Sequence, residues 1–186
     1  MNGIRSEESG PSSLRHRSAS NKGRAKSVAV GLGLMLLLAA CGTSYPRMNP
    51  TKAKNEIEHA YGTVFNFSNK KVSSKTSSIQ NGSSLEKALT QVLSSSLGKE
   101  ATGARVDSVK LLASTACSQV PLPWPCALVT YDVLGPNGTT LLSRSSGYAV
   151  YAQGKWLVAK STICGLLQLF YQETGRSGYP PGCSVG

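Results

Sequence analysis

The stretch that decides the fold is CALVTYDVLGPNGTTLLSRSSGYAVYAQGKWLVAK, Cys126 to Lys160. CALVTYDVL, 126–134, is rich in β formers and reads as a strand. GPNG, 135–138, follows, and Asn-Gly is a strong short-range hairpin signal. TTLLSRSSGYAVYA, 139–152, returns as the next strand. Gln153-Gly154 turns it into KWLVAK, 155–160, the last strand. On the near side of this block, ARVDSVKLL with Val106 and Val109 predicts a first strand over 104–113. Four consecutive strands joined by short turns make an antiparallel sheet.

Helical periodicity brackets the sheet on both sides. In KNEIEHAYGTVF, Ile57, Tyr61, Val64 and Phe65 fall at i, i+4, i+7 and i+8, one face of an amphipathic helix. Thr51 is the expected cap. His59, the one histidine after residue 41, falls on the polar face and reads as a surface side chain. The polar run 68–84 has only Val72 and Ile79 as apolar anchors, and predicts a short helix ending at Asn81-Gly82. Ser83 or Ser84 is expected to cap a helix carrying Leu85, Ala88, Leu89, Val92 and Leu93, with Glu86 in its first turn and Gly98 at its end. STICGLLQLFYQ, 161–172, is a closing helix capped by Ser161 or Thr162, and the tail 175–186 is irregular. The order is α+β, not alternating βα: a curved four-stranded antiparallel sheet packed on N-terminal helices, with a short C-terminal helix.

The N-terminal part has a different character. Arg5, Arg15, Arg17, Lys22, Arg24 and Lys26 precede Ser27 to Ala40, a run of 14 residues without a charge. That is short of the roughly 20 residues a membrane-spanning helix needs. A basic lead, a short apolar core and small residues at its end describe a secretory signal. Leu38-Ala39-Ala40-Cys41-Gly42 resembles the bacterial lipobox, which implies that Cys41 is lipidated and becomes the new N-terminus. Two or three acyl chains give durable anchoring where one is marginal. The expected organisation is a lipoprotein signal peptide over 1–40, a tether over 41–52 and one domain over 53–186. Such a tether keeps the domain on the order of 20 Å from the membrane.

Five cysteines leave one over when the rest are paired, and Cys41 is that one. In an exported chain, Cys117, Cys126, Cys164 and Cys183 read as two disulfides. Three pairings are formally possible. Sequence proximity favours Cys117–Cys126, across a loop holding three prolines, and Cys164–Cys183, which pins the tail. From residue 41 on, 14 Lys and Arg face 7 Asp and Glu, a net charge of +7. The cations are scattered without aromatic interleaving, so the pattern points to anionic headgroups or wall polymers rather than nucleic acid.

GYAVYAQGKWLVAKSTICGLLQL, 147–169, resembles the C-terminal domain of the actinobacterial low-molecular-weight secreted antigen family. There a strand with a glycine leads to Gly-x-Trp and then to a Thr-x-Cys opening the last helix. The matching positions are Gly147, Val150, Gly154, Trp156, Val158, Thr162 and Cys164. IQNGSSLEKAL, 79–89, and ALVTYDVL, 127–134, also look like the family, and the resemblance runs over about 53–170. Cys117 and Cys126 are additions to the pattern. The family is similar to the nuclear transport factor-like cone, a curved sheet around a long helix, often with an apolar cavity at its wide end. The resemblance implies an envelope protein of an actinobacterium and carries no activity with it, since this fold hosts enzymes and non-enzymes alike.

Enzymes on such a cone place an Asp or His inside as a general base. Here no nucleophile motif, phosphate-cradling glycine loop or metal-spaced set appears, and no cofactor or metal is implied. The one enzymatic alternative is Asp132 pointing inward to work with a tyrosine such as Tyr61. The favoured expectation is non-catalytic binding of an envelope lipid, a small apolar ligand or a protein partner by a lipid-anchored domain on the extracytoplasmic face. Candidate pocket residues are Tyr61, Phe65, Tyr131, Tyr148 and Trp156, joined by Tyr151. Aromatics are only 6% of the chain, however, so packing has first claim on them. Trp124, at the tip of the proline-stiffened loop, is an expected exposed partner contact.

Overall fold

A computed structural model describes residues 48–183. The expected signal peptide over 1–40, Cys41 and most of the expected tether lie outside the described residues.

Helix α1, Pro50–Phe65, starts where Pro50 pre-sets the first helical φ. Asn49, not Thr51, is the cap: its side-chain carbonyl accepts from the amides of Thr51 (3.0 Å) and Lys52 (3.1 Å). The polar run then makes a single short helix, α2, Val72–Thr76. Its continuation is extended, and Ile79 bridges Val158 in parallel, with the Gln80 amide donating to the Val158 carbonyl at 2.9 Å. A 3-10 turn, Gly82–Leu85, leads into α3, Glu86–Ser94. Neither Ser83 nor Ser84 caps α3. The Ser84 hydroxyl donates backward to the Asn81 carbonyl at 2.8 Å, because Asn81 sits in left-handed backbone (φ 50°) and the chain winds tightly there. Helix α3 stops at Ser94, short of Gly98, which belongs to the next turn, α4, Leu97–Glu100.

The sheet is an antiparallel meander, β1 (Gly103–Leu111), β2 (Cys126–Leu134), β3 (Thr140–Ala152) and β4 (Lys155–Val158), and it curls as a half-barrel. Both tight turns are the left-handed pairs that Asn-Gly and Gln-Gly suit. Asn137 (φ 58°, ψ 22°) and Gly138 (φ 75°) make one, Gln153 (φ 55°) and Gly154 (φ 78°) the other. Between β1 and β2, where the sequence predicts a loop, lies a helix, α5, Ser114–Gln119. Helix α6, Lys160–Glu173, closes the fold without a side-chain cap.

Alternation splits the sheet between two apolar clusters. Ala127, Val129, Tyr131, Val133, Ala149, Trp156 and Val158 face α1, α3 and α6 in the main core. Cys117, Leu122, Cys126, Val150, Leu157 and Ala159 form a second, smaller cluster on the other face, under α5 and the loop after it. Cys117 and Cys126 are disulfide-bonded within that cluster, and Cys164–Cys183 ties the tail to α6.

Candidate functional site

The C-terminal end of α1 opens into an apolar cleft of about 200 Å³. Val64 and Phe65 of α1 and Phe67 after it line one side, and Leu89 and Val92 of α3 line another. Ile163, Leu166, Leu167 and Phe170 come from α6, Val133 and Leu142 from the β2–β3 hairpin. These residues converge because each is the apolar position of a periodic element that runs out of partners at this end of the cone. Three of the four large exposed apolar side chains of the described residues edge this cleft: Leu141 (41% exposed), Leu142 (38%) and Leu169 (51%). Glu173 is the only charged residue in the lining.

Phe65 is the only expected pocket aromatic found in this lining, which corrects the expected set. Tyr61 and Tyr131 are fully buried in the main core, with ring centroids 4.9 Å apart, and Phe65 stands 5.2 Å from Tyr131. Large rigid rings pack best at the centre of the sheet, which leaves the cleft to leucines. Tyr148 points to the opposite sheet face and packs on the second cluster. Trp156 meets Tyr151 edge-on at 5.7 Å and floors a separate cleft, which also holds the exposed His59 with Glu56 and Lys155. Trp124 is half-buried against the second cluster rather than exposed at a loop tip. Sequence reasoning missed Leu141, Leu142 and Leu169, because an apolar residue on a strand or helix gives no sign of being left uncovered.

Asp132 corrects the enzymatic alternative. It lies on the sheet face opposite Tyr61, where Arg105 pairs with one carboxylate oxygen and the Arg144 amide donates to the other at 2.7 Å. The register of β2 against β3 shifts here, and Arg144 takes left-handed backbone (φ 49°). Asp132 therefore pins a bulge and has no route to the cleft.

The core's titratable groups are structural as well. The Tyr61 hydroxyl donates to the Tyr148 carbonyl at 3.1 Å, and burial, reinforced by Tyr131, raises its pKa far above the usual phenol range. Burial pushes Tyr131 up to about 12. Lys75, fully buried and unsuspected in a polar run, donates to the Asn66 carbonyl at 2.6 Å and the Thr63 carbonyl at 3.4 Å. Its ammonium thus caps the C-terminal end of α1, where the helix dipole favours a cation. It also lies 5.2 Å from the ring centre of Phe67, a wall of the cleft. Burial, with Lys70 nearby adding to it, lowers its pKa to about 8. Lys70 donates likewise to the carbonyls of Leu93, near the end of α3, and Gly98, in α4.

Among the described residues no group of His, Cys, Asp or Glu is placed to hold a metal, and no helix is long and apolar enough to cross a membrane. The site is thus an apolar slot, walled by three helices and a hairpin. Neither a curated protein nor a solved structure matches the chain. A family model does, over residues 50–174, from the start of α1 to the end of α6. The chain therefore belongs to the family described as low molecular weight antigen MTB12, C-terminal domain.

Proposed function

We propose that this chain is a cell-envelope lipoprotein, anchored through an acylated Cys41, whose domain holds one slender apolar ligand, such as a single acyl chain, without catalysis. The observation that carries this reading is the cleft at the end of α1, walled almost wholly by aliphatic and aromatic side chains. A volume of about 200 Å³ falls below the roughly 300–1,000 Å³ common for small-molecule sites, which limits the occupant to a small group or part of a chain. Membership of an antigen family fits a secreted or envelope address. The signal-like N-terminal segment ending at Cys41 fits the same address and supplies the anchor.

Native mass spectrometry of the lipoprotein, extracted mildly from its own membrane, tests both halves. The expected spectrum shows a chain beginning at acylated Cys41 with an added mass that leaves on denaturation. An unmodified full-length chain removes the anchor, and an acylated chain that never carries a ligand removes the binding role.

A further inference from the structure

We infer that the mouth of the cleft is a bilayer-docking face: Leu141, Leu142 and Leu169 enter the apolar layer of the membrane that holds the anchor, and the cleft opens directly onto lipid. This rests on the anchored reading above.

The argument starts from exposure. A soluble domain exposes most of its apolar residues singly, so the place where several of them gather is the first to ask about. Among the described residues, three of the four large ones edge a single opening, from two separate elements, the β2–β3 hairpin and α6. Together they expose little more than the surface of one whole leucine. These leucines alone fall far short of the roughly 800 Å² per partner that a stable protein interface buries. They are enough for a domain already tethered to the surface it touches, because the tether makes the second contact intramolecular and a weak one suffices.

Reach decides whether the contact can be made. The tether enters at the N-terminal end of α1, and the cleft lies at its C-terminal end. Sixteen residues of helix span about 24 Å. From Cys41 to Asn49 the chain advances eight residues, which extend to at most about 28 Å. The linker is therefore just long enough to let the far end of α1 come down to the plane of the anchor. A bilayer is also the one partner whose own substance, an acyl chain, fits the slot behind the leucines.

The test uses the acylated protein reconstituted in vesicles of phosphatidylcholine and phosphatidylglycerol, with Leu169 replaced by the photoreactive p-benzoylphenylalanine. A second variant carries the probe at Leu141, in case the first misfolds, and a control carries it at exposed Thr115 in α5. Illumination should add one lipid mass at 169 and 141, severalfold more than at 115. Native spectra of the same samples read the slot separately. Equal lipid labelling at all three positions, or none, overturns the docking face even where the protein still carries its ligand. Adducts joining two protein chains overturn it in favour of a second copy. Lipid adducts at 169 and 141 on a protein with an empty slot uphold the docking face and overturn the binding role instead.

Discussion

The hydroxyl of Tyr61, on α1, donates to the main-chain carbonyl of Tyr148, on β3, 87 residues away, passing directly over Gly147. The Thr162 hydroxyl, on α6, meets the same residue by accepting from the Tyr148 amide at 2.7 Å. Helix, sheet and closing helix are therefore knotted at one point, and the knot explains why Gly147 and Thr162 stand where they do.

Gly147 has no room for a side chain. A Cβ there would lie 2.5 Å from Thr162 Cγ2 and 2.9 Å from the Tyr61 hydroxyl oxygen. Gly147→Ala should cost about 1–3 kcal/mol, as overpacking of a filled core does. Tyr61→Phe should cost only about 1 kcal/mol, because the Tyr148 carbonyl keeps the Ala159 amide at 2.8 Å. Urea unfolding of both variants checks the order, and a neutral Gly147→Ala would show that the knot is loose.

Lys75 gives stability an uncommon pH profile. Its pKa is 10.5 unfolded and about 8 folded, so between those values the unfolded chain binds more protons and stability rises with pH. The rise amounts to at most about 3 kcal/mol. Tyr131 and Tyr61 act oppositely, since their folded pKa values lie above the unfolded 10 and stability falls once unfolded phenols ionise. A maximum at about pH 10 is expected from these two trends. Lys75→Met should flatten the rising arm and leave the falling one. Chemical denaturation from pH 7 to 11 decides it, and an unchanged rise in the variant would refute the assignment.

Asp132→Asn should behave as a structural variant. The amide side chain still accepts from the Arg144 amide but no longer pairs with Arg105, whose side chain is largely exposed. A loss of about 1 kcal/mol is expected for a half-exposed pair. Ligand occupancy should not change, and a change would return Asp132 to the site.

Ala101, buried in the cleft wall, offers a way to fill the slot. Ala101→Leu should lower the bound-ligand fraction in native spectra while the melting temperature holds. Retained occupancy would place the ligand elsewhere.

The Cys164–Cys183 bridge closes 19 residues and holds a tail whose Gly182 lies against the Ser84 carbonyl, with no space for a Cβ. The double variant Cys164→Ala, Cys183→Ala should lose about 3 kcal/mol, as loops of this length do. Limited proteolysis should then cut first between residues 175 and 183, and a cut first in α5 would contradict this.

The strands were legible because their signals are local: β formers bounded by Asn137-Gly138 and Gln153-Gly154, both of which take the left-handed backbone expected of them. Helix α1 was legible through Ile57, Tyr61, Val64 and Phe65, all buried. What escaped depends on tertiary contacts. Helix α5 is six residues long and leans on a disulfide rather than on its own periodicity. Ser83, Ser84, Ser161 and Thr162 look like caps, but a 3-10 turn replaces the first pair, and Thr162 spends its hydroxyl on Tyr148. Lysine is ordinarily a surface residue, so only the carbonyls at the end of α1 reveal why Lys75 is inside. The aromatics are too few to serve both core and slot, and Tyr61 and Tyr131 go to the centre of the core, as the claim of packing on them implies.

The second apolar cluster makes the outer loop a detachable part. Residues 112–125 rest on Val150, Leu157 and Ala159, none of which belongs to the main core. A covalent bridge fastens α5, through Cys117, to Cys126 at the start of β2. Insertions and substitutions there stay clear of the slot and of the α1 caps, whose residues lie outside this cluster, so this face is free to diversify. Its footprint is the constraint: removing the loop from this chain would leave Val150 and Leu157 as a bare apolar strip facing water.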